Sequence, residues 1–270
     1  MRIPIYQVDA FASRLFGGNP AAVMPMEAFP AEEVMQAIAA ENNLSETAFL
    51  VAEDGNYHLR WFTPEVEVPL CGHATLASGA VVLDRLEPGR ESVVFLTASG
   101  PLTVSRAAQG YGMDFPARPS AQVPVSQEIS DALGVAPVEV WEDDFFLLAL
   151  VKDAATVRNL APKMDRVAAL ERTGLVVTAA GDEGHDFVSR FFAPAKGIAE
   201  DPVTGSAHCM LTPFWAARLG KASFSAFQAS ARGGELLCRL KGERVEIEGQ
   251  CVFYLEGKVE IEESVQKLRG

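Results

Sequence analysis

Two stretches of this chain follow the same order of residues about half a chain apart. The segment YHLRWFTP, residues 57–64, aligns with FVSRFFAP, residues 187–194, at an offset of 130 residues. Three extra residues enter the second copy, after which PLCGHA, residues 69–74, aligns with PVTGSA, residues 202–207, at an offset of 133. Chance similarity of two strand–turn–helix units is the alternative, but the matches cover both flanks of the turn and favour an internal duplication.

The repeat restricts the fold to two related halves. Short β-rich segments alternate with Gly, Pro and Asp turns, and a long helix is predicted after Gly72 and again after Gly205. A further helix is expected in PAEEVMQAIAAENN, starting at Pro30. The sequence therefore predicts an α/β (α+β) protein with two pseudo-symmetric halves, each a curved, mostly antiparallel sheet wrapped around a central helix. We expect an N-terminal half of residues 1–118 and a C-terminal half of residues 119–270, whose last residues could pack back on the N-terminal half.

Composition excludes several classes of function. The chain carries a net charge of −13 and no basic run, so binding to nucleic acid is not expected, because that needs clustered Lys and Arg. No apolar run is long enough to span a bilayer and no signal-peptide pattern opens the sequence. No two of the four cysteines form a C-x-x-C pair. This spacing favours reduced thiols and a cytoplasmic location.

Both predicted central helices begin at a glycine-containing turn. The first N–H groups of a helix lack partners within it and, together with the helix dipole, favour an anion. If the two halves face each other about a pseudo-twofold axis, the turns at Gly72 and Gly205 would meet, and a small carboxylate could bind between them.

Four blocks of sequence together resemble one protein family. They are FGGNPAAV at 16–23, NNLSETAFL at 42–50, WFTPEVEVPLCGHAT at 61–75 and EDPVTGSAH at 200–208, and they resemble the PhzF-like, or phenazine biosynthesis-like, proteins. The resemblance spans nearly the whole chain. It implies the diaminopimelate-epimerase fold with an active site between the halves, an isomerase-like activity without a cofactor, and a homodimer.

The resemblance also implies particular site residues. The family's general acid/base glutamate falls on Glu46, whose role would be to take a proton from carbon in one step and return it in another. Predicted contacts to a small carboxylated substrate fall on Asn19, Ser45, Gly72, His73, Asp201, Gly205 and Ser206. Gly72 and Gly205 would bind the substrate's carboxylate or a developing enolate oxygen through backbone N–H groups.

Alternatives to this function remain open from the sequence. The related epimerases use one cysteine from each half, and Cys71 occupies the first such position, but its repeat partner is Thr204. An alcohol has too high a pKa to replace a thiolate, which favours a single carboxylate over a two-thiol epimerase. An amino-acid epimerase or racemase, or a member without turnover that binds a metabolite or a protein, is the alternative. No set of His and Cys residues has zinc-ligand spacing, so no metal is predicted.

Overall fold

The computed structural model describes residues 2–261, which divide into two compact units. One unit contains residues 2–113 and 248–261, and the other contains residues 114–247. The chain thus passes into the second unit after residue 113, a few residues before the boundary that the sequence suggests. Within residues 2–261, no helix is both long and apolar enough to cross a membrane.

The bounds of the elements follow the chain order. The strands are β1 (Arg2–Ala10), β2 (Asn19–Met26), β3 (Glu46–Glu53), β4 (Asn56–Phe62), β5 (Glu67–Val68), β6 (Ser92–Thr97), β7 (Gly100–Ala107), β8 (Gly110–Pro116), β9 (Ala121–Val123), β10 (Glu139–Glu142), β11 (Phe146–Leu150), β12 (Gly174–Ala180), β13 (Phe187–Ala193), β14 (Ile198–Asp201), β15 (Ser223–Gln228), β16 (Gly234–Lys241), β17 (Arg244–Gly249) and β18 (Cys251–Glu260). The α-helices are α1 (Glu32–Asn42), α2 (Gly72–Val81), α3 (Gln127–Leu133), α4 (Ala154–Asn159), α5 (Met164–Ala168) and α6 (Gly205–Leu219). A π-helical turn, Val82–Leu86, extends α2, and a 3-10 turn, Pro194–Lys196, follows β13.

The first unit is a mixed, mostly antiparallel sheet. Strand β1 pairs antiparallel with β18 and with β2, and β2 pairs parallel with β3. Strand β3 pairs antiparallel with β4, which is antiparallel to β5 and parallel to β6, and β6 pairs antiparallel with β7. The C-terminal strand β18 therefore belongs to the same unit as the N-terminal strand.

The second unit repeats this pairing order. Strands β10 to β13 pair antiparallel, parallel and antiparallel in succession, as β1 to β4 do. Strand β13 is antiparallel to β14 and parallel to β15, and β15 pairs antiparallel with β16. The same order of strand directions in both units confirms the prediction of two pseudo-symmetric α/β halves.

An arginine–glutamate pair marks the repeat at the level of side chains. Arg60 donates two hydrogen bonds of 2.7 Å to the carboxylate of Glu67. Arg190 donates two to Glu200, at 2.7 and 2.9 Å. The pairs are related by the offsets found in the sequence, 130 residues for the arginines and 133 for the glutamates, which supports the duplication.

Helix α2 is the central helix of the first unit. Every residue from His73 to Val81 is buried, and the helix contacts β1, β2, β3 and β7. A Cβ atom on Gly79 would lie 2.3 Å from a methyl carbon of Val104 on β7, so only glycine allows the helix to approach the sheet this closely. The helix is thus packed closely against the sheet, and it also contacts β2 and β3, which carry Asn19 and Glu46. Helix α1 begins at Glu32, after Ala31, two residues later than the sequence suggests.

Candidate active site

The turn that begins α2 exposes backbone donors. Cys71, the residue before the helix, has an extended backbone, and Gly72 is the first helical residue. The Thr75 hydroxyl donates a hydrogen bond of 2.5 Å to the Cys71 carbonyl, and the Thr75 N–H bonds to the same oxygen at 3.2 Å. These bonds hold the first turn, whose leading N–H groups point out of the helix and can receive an anion.

The carboxylate of Glu46 lies against this turn. Glu46 is the first residue of β3, which runs parallel to β2 with Ala21 opposite Glu46. The residue is only 7% exposed. Its Oε2 atom lies 3.0 Å from Nε2 of His73, the second residue of α2. The fold thus brings together a strand residue and a helix residue that are well separated in the sequence.

The other ring nitrogen of His73 also has neighbours. The side-chain nitrogen of Asn19, the first residue of β2, lies 3.0 Å from Nδ1. The Cys71 thiol lies 3.5 Å from the same nitrogen. Asn19 is fully buried and His73 is 5% exposed. The imidazole therefore lies between an amide and a thiol on one edge and a carboxylate on the other.

Burial and neighbouring charges have opposite effects on the pKa of His73. Burial lowers this pKa, whereas Cys71 and Glu46 raise it, and the balance lies above the ordinary value. Burial also raises the pKa of the Cys71 thiol, to about 11. The thiol is therefore uncharged at neutral pH and does not attract a proton to His73 there. The carboxylate of Glu46 is then the charge that favours a second proton on the ring.

The same cluster could also reach a metal ion. One ligand atom each from Glu46, Cys71 and His73 lies within 4.8 Å of the others, a grouping that the sequence spacing did not predict. The carboxylate faces Nε2 and the thiol faces Nδ1, and these nitrogens lie on different edges of the ring. A single ion could therefore bind all three groups only after one side chain had turned.

The turn that begins α6 is held by a buried glutamine. The Thr204 hydroxyl donates a hydrogen bond of 2.6 Å to the Asp201 carboxylate. The Thr204 N–H donates to Oε1 of Gln228 at 2.8 Å, and Nε2 of Gln228 donates to the Asp201 carbonyl at 2.8 Å. Gln228 is fully buried. It therefore ties β14 to the residue that precedes α6.

The two turns are alike in backbone and different in chemistry. His208 donates from Nδ1 to the Thr204 carbonyl at 2.8 Å, as Thr75 does to Cys71 in the first unit. The partner of Glu46 is Gly174, because each is the first residue of its strand and pairs in the same parallel register, opposite Ala21 and Phe146. A Cβ atom on Gly174 would lie 2.4 Å from the ring of Phe191. The second unit therefore has no room for a carboxylate where the first has Glu46.

The structure groups the predicted residues by unit. Asn19, Glu46, Gly72 and His73 come together in the first unit, and half-buried Ser45 directly precedes Glu46. In the second unit, Asp201, Gly205 and Ser206 surround the start of α6. The sequence did not indicate Gln228. A glutamine at the end of an alternating strand carries no signal of its own, since its partners come from β14 and the turn after it.

A comparison with protein families matches most of the chain. Residues 8–257 match the family model described as phenazine biosynthesis-like protein. A Pseudomonas aeruginosa protein that bears the name uncharacterized isomerase is 49% identical over 97% of this chain and 100% of its own length.

Solved structures extend the comparison to the fold. A phenazine biosynthesis protein of the PhzF family from Enterococcus faecalis is 45% identical, with a TM-score of 0.94 over 97% of this chain and 100% of its own. A hydroxyproline epimerase from Agrobacterium vitis is only 12% identical, with a TM-score of 0.62 over 96% of this chain and 91% of its own. The likeness to the epimerase concerns the fold alone.

Proposed function

This chain belongs to the phenazine biosynthesis-like family, and on that premise we propose that it is a cofactor-independent isomerase that moves a proton within a small carboxylated metabolite. The observation that carries the proposal is the buried carboxylate of Glu46, 3.0 Å from Nε2 of His73 and close to the start of α2.

Glu46 acts first as a base and then as an acid. Its carboxylate takes a proton from a substrate carbon, and the electron pair of the broken C–H bond moves into the adjoining carbonyl or double bond. The new O–H of Glu46 then returns the proton to another carbon, and the electron pair re-forms a C–H bond there. Atoms and charge balance without a redox partner.

Backbone donors support the charged intermediate. The N–H groups at Gly72 would hold the substrate carboxylate or the enolate oxygen, because charge that develops near fixed donors is stabilised without reorganisation. Contacts of the substrate with Ser45, Asp201, Gly205 and Ser206 stay predictions from the family resemblance, as do a homodimer and a cytoplasmic location.

The difference between the repeats favours one acid/base group over two. Racemases that invert a carbon need a second proton carrier on the opposite face of the substrate. The repeat partners of Glu46 and Cys71 are Gly174 and Thr204, neither of which can serve as a base. An amino-acid epimerase is therefore the weaker candidate, and a binding protein without turnover would have no need of the buried carboxylate.

The test begins with a ligand. Small cyclic and amino carboxylates are screened by thermal shift, because a ligand that binds only the folded state raises the melting temperature. A ligand from this screen is then incubated with the protein in deuterated water, and deuterium in its carbon atoms is measured by mass spectrometry. We expect Glu46→Gln to lower exchange by ~10²–10⁴-fold while binding survives, as is typical when a general acid/base is lost.

Glu53→Gln is the matched control. Glu53 ends the same strand, is exposed and pairs with His58, so the same change of charge should leave exchange at the wild-type rate. Undiminished exchange in Glu46→Gln would contradict the proposal, and an inverted stereocentre in the product would favour the epimerase.

A further inference from the structure

The amide of Asn19 meets the imidazole of His73 inside the first unit. Asn19 and Glu46 are the first residues of the parallel strands β2 and β3, so both side chains reach the start of α2. The side-chain nitrogen of Asn19 lies 3.0 Å from Nδ1 of His73. Asn19 is fully buried, which suits a residue that acts through a neighbour.

This contact determines which ring nitrogen can carry a proton. The amide nitrogen of asparagine donates hydrogen bonds and does not accept them, so its contact with Nδ1 of His73 favours a nitrogen that accepts and carries no proton. A neutral ring then has its single proton on Nε2. That nitrogen lies 3.0 Å from Oε2 of Glu46.

The charges around the ring favour a different state. Within the described residues, the titratable groups that act on His73 are Glu46 from β3 and Cys71 from the turn before α2. The thiol is uncharged at neutral pH, whereas the carboxylate favours an imidazolium ion. A second proton would lie on Nδ1 and would face the N–H of Asn19, so the amide opposes the effect of the carboxylate.

We propose that Asn19 is a positioning residue that keeps Nδ1 of His73 unprotonated, so that the ring stays neutral with its single proton on Nε2, beside Glu46. An imidazolium could pass a proton to the carboxylate and leave it unable to accept one from the substrate, whereas a neutral imidazole is too weak an acid to do so. This consequence for catalysis rests on the proposed function, but the state of the ring does not.

The experiment is ¹⁵N NMR of the full-length protein labelled at histidine. The chain has four histidines, and the His73 signals are identified by their loss in His73→Gln. At neutral pH we expect two well-separated ring nitrogen signals, with the proton on Nε2. In Asn19→Asp, a carboxylate would accept a hydrogen bond from Nδ1–H and add a second negative charge. The two signals should then come together as an imidazolium, with the titration midpoint raised by about 1–3 pH units.

Asn42→Asp is the matched control. Asn42 donates to the Thr47 hydroxyl, next to Glu46, at 3.0 Å, and no hydrogen bond joins it to His73 in the described structure. We expect its spectrum to match the wild type. A role of Asn19 in folding alone would leave the protonation of His73 unchanged in any folded variant.

Two results would overturn the proposal: a proton on Nδ1 in the wild type, or a folded Asn19→Asp whose His73 titrates as in the wild type. If Asn19→Asp does not fold, the wild-type spectrum still decides. The two proposals can fail separately. The NMR experiment needs no substrate, and the Glu46→Gln exchange experiment does not measure the protonation state of the His73 ring.

Discussion

Cys71 illustrates how strongly the surroundings of a single residue decide its chemistry. Its thiol lies 3.5 Å from Nδ1 of His73, which could suggest a reactive cysteine–histidine pair. Burial raises the pKa of the thiol to about 11, and a thiol acts as nucleophile or base only as the thiolate. Its repeat partner, Thr204, donates a hydrogen bond from its hydroxyl group to the Asp201 carboxylate. The buried Cys71 thiol therefore carries its proton at neutral pH, a state poorly suited to a base.

We expect Cys71→Ala to retain most of the proton exchange, within roughly tenfold of the wild type, because the substitution removes no proton carrier. The measurement is deuterium incorporation with the same ligand as for Glu46→Gln. Loss of exchange in Cys71→Ala together with full exchange in Glu46→Gln would replace the carboxylate mechanism by a thiol mechanism.

At the scale of elements, the repeated arginine–glutamate pair has different surroundings in the two units. The Arg60 side chain is 30% exposed, whereas that of Arg190 is 12% exposed. Arg190 also donates to the carbonyls of Val157 and Leu160 at the end of α4. Arg60 meets helix α1 through the exposed carboxylate of Glu32 at 2.9 Å, whereas Arg190 meets α4 through main-chain carbonyls.

Removal of each arginine should have a different effect on stability. Arg190→Ala removes the arginine from the largely buried Glu200 carboxylate and from the Leu160 carbonyl, and we expect it to lower the free energy of unfolding by about 2–4 kcal/mol. Arg60→Ala serves as the matched control and should lower it by less than about 1 kcal/mol, as is typical of exposed pairs. Urea unfolding of both variants measures the difference, and equal losses would contradict the role assigned to burial.

At the scale of the whole molecule, one buried histidine links stability to pH. Burial lowers the pKa of His208 to about 4, although its hydrogen bond to the Thr204 carbonyl acts in the other direction. A folded-state pKa below the unfolded value of about 6.5 means that protonation favours the unfolded chain. The contribution of His208 is therefore fully present above about pH 6.5 and is lost as the pH falls towards 4.

We expect His208 to account for a loss of roughly 3 kcal/mol in the free energy of unfolding between these pH values. His208→Gln keeps a donor for the Thr204 carbonyl but does not titrate, so its stability should vary less with pH over this range. The readout is urea unfolding across the pH range, and an unchanged slope in His208→Gln would refute the prediction.

The sequence by itself was sufficient for the two-halved architecture and for the positions of the helix-starting turns. Repeats, glycine turns and hydrophobic periodicity are local patterns that can be recognised in the sequence alone. The constant offset between the segments around Gly72 and Gly205 is one example. The resemblance of short blocks likewise selected Glu46 and His73.

Only the tertiary structure decided what surrounds those residues. The contact of Asn19 with His73 depends on the parallel register of β2 and β3, and the clamp of Gln228 on Thr204 depends on the end of β15 reaching the start of α6. The missing carboxylate partner at Gly174 follows from the nearby ring of Phe191. Such contacts join residues far apart in the chain, and burial sets their protonation, so no local pattern encodes them.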